Sequence, residues 1–220
     1  MYDNEHKDLD IIDKGLIDYK KALKCQYLLV EKRRTNLICD TLLLLEHPHT
    51  YTIGLTGKRE NILLSDVELS KRNIKVIQTK RGGDVTYHGP GQIIGYFIVD
   101  FKQFGESINR FVFNIEEIFI LLLKRYYTIE SFRDSKHPGV WTKSGKILAI
   151  GIRVKNGIIF HGFAFNVNTD MSYFDHIIPC GISGKKATSL ASLINIHNKL
   201  SHIKRLIIQQ LLTVFNYHIK

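Results

Sequence analysis

Apolar residues recur at helical spacing in three parts of the chain. An early stretch has apolar side chains every three or four positions, at Ile12, Leu16, Tyr19 and Leu23. A stronger stripe lies between Ser107 and about Arg125 and consists of Phe111, Ile115, Ile118 and Leu122. A third pattern covers residues 199–215. Since a helix repeats every 3.6 residues, these spacings predict three helices.

Strand patterns alternate with these helices. The apolar run of residues 40–54 is interrupted at Pro48, which predicts two strands because proline cannot donate to a sheet ladder. Residues 74–80 and 93–101 predict two more strands. Ahead of them, Ser65 is followed three residues later by Glu68. This is the spacing of a capping box and predicts a short helix over residues 65–72.

Residues 146–167 predict a β-hairpin, because Asn156-Gly157 is a strong signal for a two-residue turn. This turn would pair Gly151 with Gly162, and Ala149 with Ala164. Side chains alternate along a strand, so one face of the first strand carries Leu148, Ile150, Ile152 and Val154. The opposite face then collects the four small residues. Such a patch is either the floor of a pocket or a surface packed closely under a helix.

The chain shows no repeat, linker or low-complexity segment that would divide it. Its 220 residues therefore predict one domain, residues 1–220, of the α/β (α+β) class. The hydrophobic fraction of 44 % is high enough for a buried core and too high for a disordered chain. Apolar runs stay shorter than the roughly 18 residues that cross a bilayer. The polar N-terminal stretch is unlike a secretory or transit peptide, so we expect a cytoplasmic protein without a membrane partner.

The balance of 31 Lys and Arg against 21 Asp and Glu gives a net charge of +10. Nucleic acid is one partner that such a charge attracts. The basic residues are scattered, however, and form no tract of five to eight, so we expect no nucleic-acid partner. An acidic protein would be attracted by the same field.

Three cysteines do not suit a disulfide framework or a paired metal motif. Cys25 lies in a helical pattern and Cys39 at the entrance of a strand, and neither position indicates a function. Cys180 lies in a loop between a proline and a glycine and is a candidate nucleophile. A reactive thiol needs a neighbouring cation or imidazole. Several residues qualify without the spacing choosing among them: Lys146, His88, His161, Lys185 and Lys186.

The stretch RGGDVTYHGPGQ (81–92) is dense in glycine and lies between two apolar runs. It lacks the GxxxxGK[ST] and GxGxxG spacings, and a strand rather than a helix follows it, so a phosphate site is not indicated. Arg81 could hold an anion, and His88 could hydrogen-bond a substrate carbonyl. His47 and His49 have no third clustered ligand, so we expect no metal ion.

Five segments, in this order along the chain, resemble the lipoyl(octanoyl) transferases, the octanoyl-carrier-protein:protein octanoyltransferases of lipoate biosynthesis. They are EHPHTYTIG (46–54), RGGDVTYHGPGQIIGY (81–96), GVW…SGKILAIGIRV (139–154), HGFAFNV (161–167) and PCG…ATSL (179–190). The resemblance extends from about residue 20 to residue 215. It implies a mixed β-sheet flanked by helices, as in lipoate-protein ligases and the catalytic domain of biotin protein ligases.

The resemblance also implies a ping-pong acyl transfer through a Cys/Lys dyad. Cys180 would take the octanoyl (or lipoyl) group from the thioester of acyl carrier protein. Lys146 would lower the pKa of that thiol and shuttle the proton. The amine of a lysine on a lipoyl domain would then attack the acyl-enzyme and form an amide. Thioester exchange is nearly isoenergetic, so no ATP or other cofactor is expected.

The acyl-binding segments of the family correspond to three groups of residues in this chain. They are Arg81, Gly82, Gly83, Asp84, Val85, Thr86, Tyr87 and His88, then Ala149, Ile150 and Gly151, and finally Gly162, Phe163 and Ala164. The implied donor is octanoyl-acyl carrier protein. The implied acceptors are the lipoyl domains of 2-oxoacid dehydrogenase complexes and the glycine cleavage H protein. We expect the enzyme to act as a monomer.

One feature of the predicted hairpin conflicts with this mechanism. Strict alternation places Lys146 on the face opposite Ala149 and Gly151. We therefore expect a bend or twist near Gly145 that allows the lysine to reach Cys180.

Two other functions are compatible with parts of the sequence. An ATP-dependent lipoate or octanoate ligase on the same fold would activate the acid as an adenylate and would need no nucleophilic cysteine. A non-catalytic binder of carrier proteins or nucleic acid would need neither Cys180 nor Lys146. The presence of both residues favours the transferase.

Overall fold

The computed structural model describes residues 7–105, 107–178 and 186–220. Its strands are β1 (Lys7–Leu16), β2 (Asp40–Glu46), β3 (Thr50–Ile53), β4 (Lys75–Gln78), β5 (Val85–His88), β6 (Gln92–Asp100), β7 (Phe132–Arg133), β8 (Gly139–Thr142), β9 (Gly145–Lys155), β10 (Ile158–Asn166) and β11 (Tyr217–Ile219). Its α-helices are α1 (Tyr19–Arg34), α2 (Asp66–Lys71), α3 (Ile108–Tyr127), α4 (Leu190–Ile194) and α5 (Leu200–Phe215). This is the predicted mixed α/β class.

A large mixed sheet forms the centre of the molecule, in the order β11-β1-β2-β6-β10-β9-β8-β7. Helices α3 and α5 cover one face and α1 covers the other. The run of four leucines in β2 shows why both faces are apolar. Leu42 and Leu44 pack with α3 and α5, whereas Leu43 and Leu45 pack with α1. A strand buried on both sides reads as a continuous hydrophobic run.

A second, smaller sheet has the order β4-β3-β5. Its core includes Tyr51, Tyr87 and Leu69 of helix α2. The predicted capping box is present, because the Ser65 hydroxyl accepts from the Glu68 amide while the Glu68 carboxylate accepts from the Ser65 amide at 2.8 Å. The two predicted strands on either side of Pro48 are β2 and β3. One of them therefore belongs to each sheet.

The early helix prediction is wrong at its start. Ile12 and Leu16 belong to β1, which pairs in parallel with both β2 and β11, and α1 begins at Tyr19. Asp18 caps the helix by accepting from the amides of Lys20 and Lys21. The three-residue and four-residue spacing before Asp18 was coincidental, because pairing with strands distant in sequence decided the local structure. The other two predicted helices are confirmed as α3 and α5.

The predicted hairpin is confirmed residue by residue. Gly151 pairs with Gly162 and Ala149 pairs with Ala164. The turn residues Asn156 and Gly157 both have positive φ, +51° and +78°, as a type I′ turn requires. In the described part of the chain, no helix is both apolar and long enough to cross a bilayer.

Candidate active site

A cavity lies between the β9–β10 hairpin and the glycine-rich loop of residues 81–88. Its floor is the predicted patch of small residues, Ala149, Gly151, Gly162 and Ala164. All the residues that the family resemblance marked as acyl-binding line this cavity, apart from Tyr87. The ring of Tyr87 lies in the core of the smaller sheet, where it stacks on Tyr173 at 4.7 Å.

Backbone-to-backbone packing explains the glycines of the loop. A Cβ on Gly82 would lie 3.1 Å from the carbonyl oxygen of Ile152, and a Cβ on Gly151 would lie 3.1 Å from the carbonyl oxygen of Gly82. A Cβ on Gly54 would collide with the Gly83 carbonyl at 2.1 Å. The loop therefore lies directly against β9 and β3, with no space for side chains between them. This close approach makes the glycine-rich stretch a wall of the cavity.

Arg81 organises this wall from inside. Its guanidinium donates to Thr52 Oγ1 at 3.0 Å, to the Thr52 carbonyl at 2.7 Å, to the Asp84 carbonyl at 2.6 Å and to the Gly82 carbonyl at 2.9 Å. The sequence left open that Arg81 holds an anion. In the structure, this buried cation donates to four carbonyl and hydroxyl oxygens of the protein. The Asp84 carboxylate braces the same loop by accepting from Asn61.

His88 begins a hydrogen-bonded chain that crosses the site. Its Nδ1 lies 2.9 Å from Gln92 Oε1, and Gln92 Nε2 donates to Asn166 Oδ1 at 2.8 Å. Asn166 Nδ2 then donates to the Thr188 carbonyl, and the Thr188 amide donates to the Lys146 carbonyl at 2.9 Å. Because Gln92 Oε1 is an acceptor, His88 Nδ1 carries the proton. Burial, together with nearby His47 and Arg81, holds the pKa of His88 well below its usual range, so the ring is neutral.

Lys146 faces the same cavity, and a β-bulge is the reason. Val140 of β8 pairs with Leu148, but the next residue, Trp141, pairs with Lys146, so Ile147 is an extra residue in β9. Both Ile147 and Leu148 are fully buried in the main core. Consecutive core residues reverse the alternation and bring Lys146 to the side of Ala149. The expected irregularity near Gly145 is therefore present, at residue 147.

The Lys146 amine has defined partners at one end of the cavity. Its Nζ donates to the Pro138 carbonyl at 3.0 Å and lies 4.7 Å from the centre of the Trp141 ring. Its backbone amide donates to the Lys186 carbonyl at 2.9 Å. Cys180, the predicted nucleophile, lies outside the described residues, as does Lys185. The described chain resumes at Lys186, which lines the cavity beside Lys146.

Several residues that line or support the site were missed from the sequence. Glu116 is buried on α3, where its carboxylate accepts from the Gly139 amide at 2.9 Å and pairs with Arg133 at 3.2 Å. Burial raises the pKa of Glu116 despite these partners. Its position in the apolar run of residues 115–123, which is interrupted at Glu116 and Glu117, was a signal that could have identified it. Other missed lining residues are Tyr19, Gln92, Tyr96, His137, Trp141 and Asn166. His161, a candidate neighbour of the thiol from the sequence, also lines the cavity.

The histidines of EHPHT have structural partners. His47 is fully buried between the Ile17 carbonyl at 2.7 Å and the Tyr96 hydroxyl at 2.8 Å. His49 contacts the Tyr87 hydroxyl at 2.7 Å and stacks on Tyr173. Within the described ranges, no group of three or more His, Cys, Asp or Glu side chains is arranged to hold a metal ion.

Comparisons with known proteins agree with this architecture. A family model described as the lipoyl protein ligase A/B catalytic domain matches residues 18–212. An octanoyltransferase from Desulforamulus reducens is 45 % identical over 203 residues, which cover 92 % of this chain and 89 % of that protein.

Two solved structures share the fold at low sequence identity. P. falciparum LipL1 in complex with lipoate superposes with a TM-score of 0.75 at 14 % identity, and the match covers 96 % of this chain but 65 % of that one. Biotin protein ligase from Aquifex aeolicus has a TM-score of 0.54 at 14 % identity, with 96 % and 69 % covered. The predicted fold is confirmed. On the evidence of the family model and the sequence relative, the chain belongs to the lipoyl protein ligase A/B catalytic domain family and, within it, to the octanoyltransferases.

Proposed function

We propose that the protein transfers an octanoyl group from acyl carrier protein to a lysine of a lipoyl domain, through a thioester on Cys180. Its relationship to the octanoyltransferases supports the acyl transfer. The acyl group would occupy the cavity between the glycine-rich wall and the hairpin floor. Small side chains form the floor of this space and the backbone of the loop forms one wall, which suits a flexible alkyl chain that buries apolar surface.

The first half-reaction exchanges one thioester for another. The Cys180 thiolate attacks the carbonyl carbon of the carrier-bound acyl group, and the bond from that carbon to the carrier sulfur breaks. The leaving thiolate takes a proton from the Lys146 ammonium. A neighbouring ammonium favours the thiolate form of a cysteine, so the same lysine activates the nucleophile.

The second half-reaction forms the amide. The acceptor lysine, as a neutral amine, attacks the carbonyl carbon of the acyl-enzyme, and the bond to Cys180 sulfur breaks. The neutral Lys146 amine takes the proton that the acceptor nitrogen gives up. The enzyme returns to a thiolate and an ammonium, so the cycle consumes no ATP. Two protein substrates use one site in turn because the intermediate is covalent.

The observation that carries this proposal is the bulge at Ile147. Without it, Lys146 would point to the core face of β9. With it, the amine faces the cavity that contains the proposed acyl-binding residues. The segment that contains Cys180 also rejoins the described chain at Lys186, whose carbonyl accepts from the Lys146 amide at 2.9 Å.

Intact-mass spectrometry after incubation with octanoyl-carrier protein, without ATP, tests the mechanism directly. We expect an octanoyl adduct on the wild type and none on Cys180→Ala. Cys39→Ala is a matched control, since Cys39 lies at the entrance of β2, and it should carry the adduct. An adduct that persists in Cys180→Ala would contradict the covalent mechanism. Product that forms only from free octanoate and ATP would indicate a ligase.

The proposed protein partners follow from the same chemistry. The donor would be octanoyl-acyl carrier protein, and the acceptors would be lipoyl domains of 2-oxoacid dehydrogenase complexes and the glycine cleavage H protein. Carrier proteins and lipoyl domains are typically acidic, and the net charge of +10 would attract them. Weaker transfer at higher salt, measured as kcat/KM, would support this electrostatic contribution.

A further inference from the structure

His161 has an unusual backbone for a residue inside a strand. Its φ is +62°, in the left-handed region that non-glycine residues rarely adopt. The β10–β6 ladder pairs Ile159 with Val99 and then Gly162 with Tyr96, skipping the two residues between them. The His161 amide donates instead to Gln26 Oε1 of helix α1, at 3.1 Å.

This conformation turns the His161 ring to the cavity. Its neighbours Ile159 and Phe163 point to the main core, as alternation requires. Alternation would send His161 the same way. The ring instead stacks on Phe160 at 4.4 Å and faces Tyr96 at 6.2 Å, and it lines the cavity. Strain of this kind costs stability and persists where the surrounding structure enforces it.

The ring nitrogens of His161 differ from the other polar atoms of the cavity in their hydrogen bonding. Those of Arg81, His88, Gln92 and Asn166 are bonded within the protein, as described above. His161 is 1 % exposed, yet neither of its ring nitrogens has a hydrogen-bond partner among the described residues. Burial and nearby Arg81 and Arg153 lower its pKa to about 3, so the neutral ring offers one donor and one acceptor.

His161 also lies far from the proposed reaction centre. It pairs with Ile152, which is six residues from Lys146 along β9, and the bulge at Ile147 reduces this to five ladder steps, or roughly 17 Å at about 3.3 Å per residue. An extended eight-carbon acyl chain, with bonds of about 1.5 Å, spans on the order of 9 Å. The lysine side chain and the thioester occupy the nearer part of this distance, so the last carbons of the chain would approach the ring.

Building on the proposed acyl transfer, we propose that His161 is a specificity-determining residue that hydrogen-bonds an oxygen or sulfur atom near the far end of a medium-chain acyl group. A plain alkyl chain leaves both ring nitrogens unpaired. An acyl group with a hydroxyl, or with the sulfur atoms of a dithiolane, satisfies at least one of them. A buried polar group left without a partner is costly, so the site favours the functionalised chain.

Binding of free acids tests this inference without requiring any transfer. The probes are octanoate and 8-hydroxyoctanoate, whose dissociation constants are measured by calorimetry for the wild type, His161→Leu and His161→Asn. We expect the preference for the hydroxy acid over octanoate to fall about fivefold in His161→Leu, the value of one neutral hydrogen bond. His161→Asn should restore part of it, since Asn tolerates positive φ and retains a donor and an acceptor.

The same ratio is measured in transfer, as kcat/KM for hydroxyoctanoyl against octanoyl thioesters of carrier protein. An unchanged ratio in His161→Leu, in binding and in transfer, overturns the inference while leaving acyl transfer intact. The proposed function alone would be contradicted if the wild type prefers the hydroxy acid and His161→Leu loses this preference, but the wild type transfers no acyl group.

A stability comparison adds a readout that does not depend on any ligand. His47→Leu removes a ring whose two nitrogens are both bonded, whereas His161→Leu removes a ring without partners. We expect a clearly smaller fall in Tm for His161→Leu. Since Asn tolerates the positive φ of this position, an equal fall in both His161→Leu and His161→Asn would show that the His161 ring is bonded within the free protein and would overturn the inference.

Discussion

The two ends of the cavity are built in opposite ways. In the wall formed by residues 81–88, buried polar groups are bonded to one another, and Arg81 alone makes four hydrogen bonds to oxygens of the loop and of β3. At the Lys146 end, the amine donates to the Pro138 carbonyl and lies near the Trp141 ring. A binding surface gains from being assembled before the ligand arrives. A group that transfers protons must remain able to change partners.

The largest expected effect is on chemistry at the Lys146 end. Lys146→Met should lower kcat about a thousandfold, within the range that a positioned acid–base group contributes, and should leave the fold intact. Steady-state transfer assays and thermal unfolding measure the two quantities. Lys143→Met, in the exposed turn between β8 and β9, is the matched control and should keep near-wild-type kcat. Comparable losses in both variants would contradict a specific role for Lys146.

A substitution in the glycine-rich wall should lower the stability of the fold. Arg81→Met leaves several buried oxygens without donors, and we expect the free energy of unfolding to fall by about 3 kcal/mol. Urea unfolding measures this change. Arg153→Met is the control, because the bond that Arg153 donates to the Lys80 carbonyl is long, at 3.4 Å. If Arg81→Met unfolds like the control, the wall is not held together as described.

The buried side chain of His47 predicts a pH dependence of stability. Burial lowers the pKa of His47 to about 4 in the folded protein, below the unfolded value of 6.5. Between these values the unfolded chain binds more protons, so stability falls as pH drops from about 6.5 to 4, by on the order of 3 kcal/mol. Urea unfolding at several pH values measures the slope. His47→Gln should reduce the slope by this contribution, while His88 and His161, whose pKa values are also lowered, keep theirs. An unchanged slope would contradict the assignment.

The smallest expected effect is on kcat, from substitution of Glu116, which bonds the backbone next to the Lys146 partner Pro138. Glu116→Gln keeps an oxygen for the Gly139 amide but removes a buried charge, and Pro138 next to Gly139 holds the lysine amine. We expect kcat to fall about threefold, with KM unchanged, on the scale of one weakened hydrogen bond. Glu117→Gln is the control, since Glu117 also pairs with Arg133 but makes no bond to Gly139. Equal effects in both variants would assign the change to Arg133 instead.

Local patterns predicted much of the fold correctly. The stripe of α3, the capping box at Ser65 and the Asn156-Gly157 turn are each encoded by residues close together in sequence. The turn fixed the pairing of Gly151 with Gly162, and this in turn predicted the small-residue floor of the cavity. Local spacing gave the wrong prediction for the N-terminal segment, because β1 forms by pairing with β2 and β11, which are distant in sequence.

The candidate site was also predicted only in part from the sequence. The motifs predicted that the wall and the floor of the cavity lie together. They could not indicate which polar atoms would be hydrogen-bonded within the protein. Arg81 was a candidate anion ligand by residue type, and in the fold it donates to the carbonyls of Thr52, Gly82 and Asp84. Glu116 and Tyr19 reach the site from helices that the motifs do not include.

The amino-acid sequence by itself determined the fold class, the hairpin register and the family, because short-range turn chemistry, periodicity and ordered motifs are local properties. Tertiary structure alone decided the direction of two side chains. The bulge at Ile147 turns Lys146 toward the cavity, and the positive φ of His161 turns its ring the same way. Both depend on how neighbouring strands and helix α1 compete for backbone hydrogen bonds, which no local pattern records.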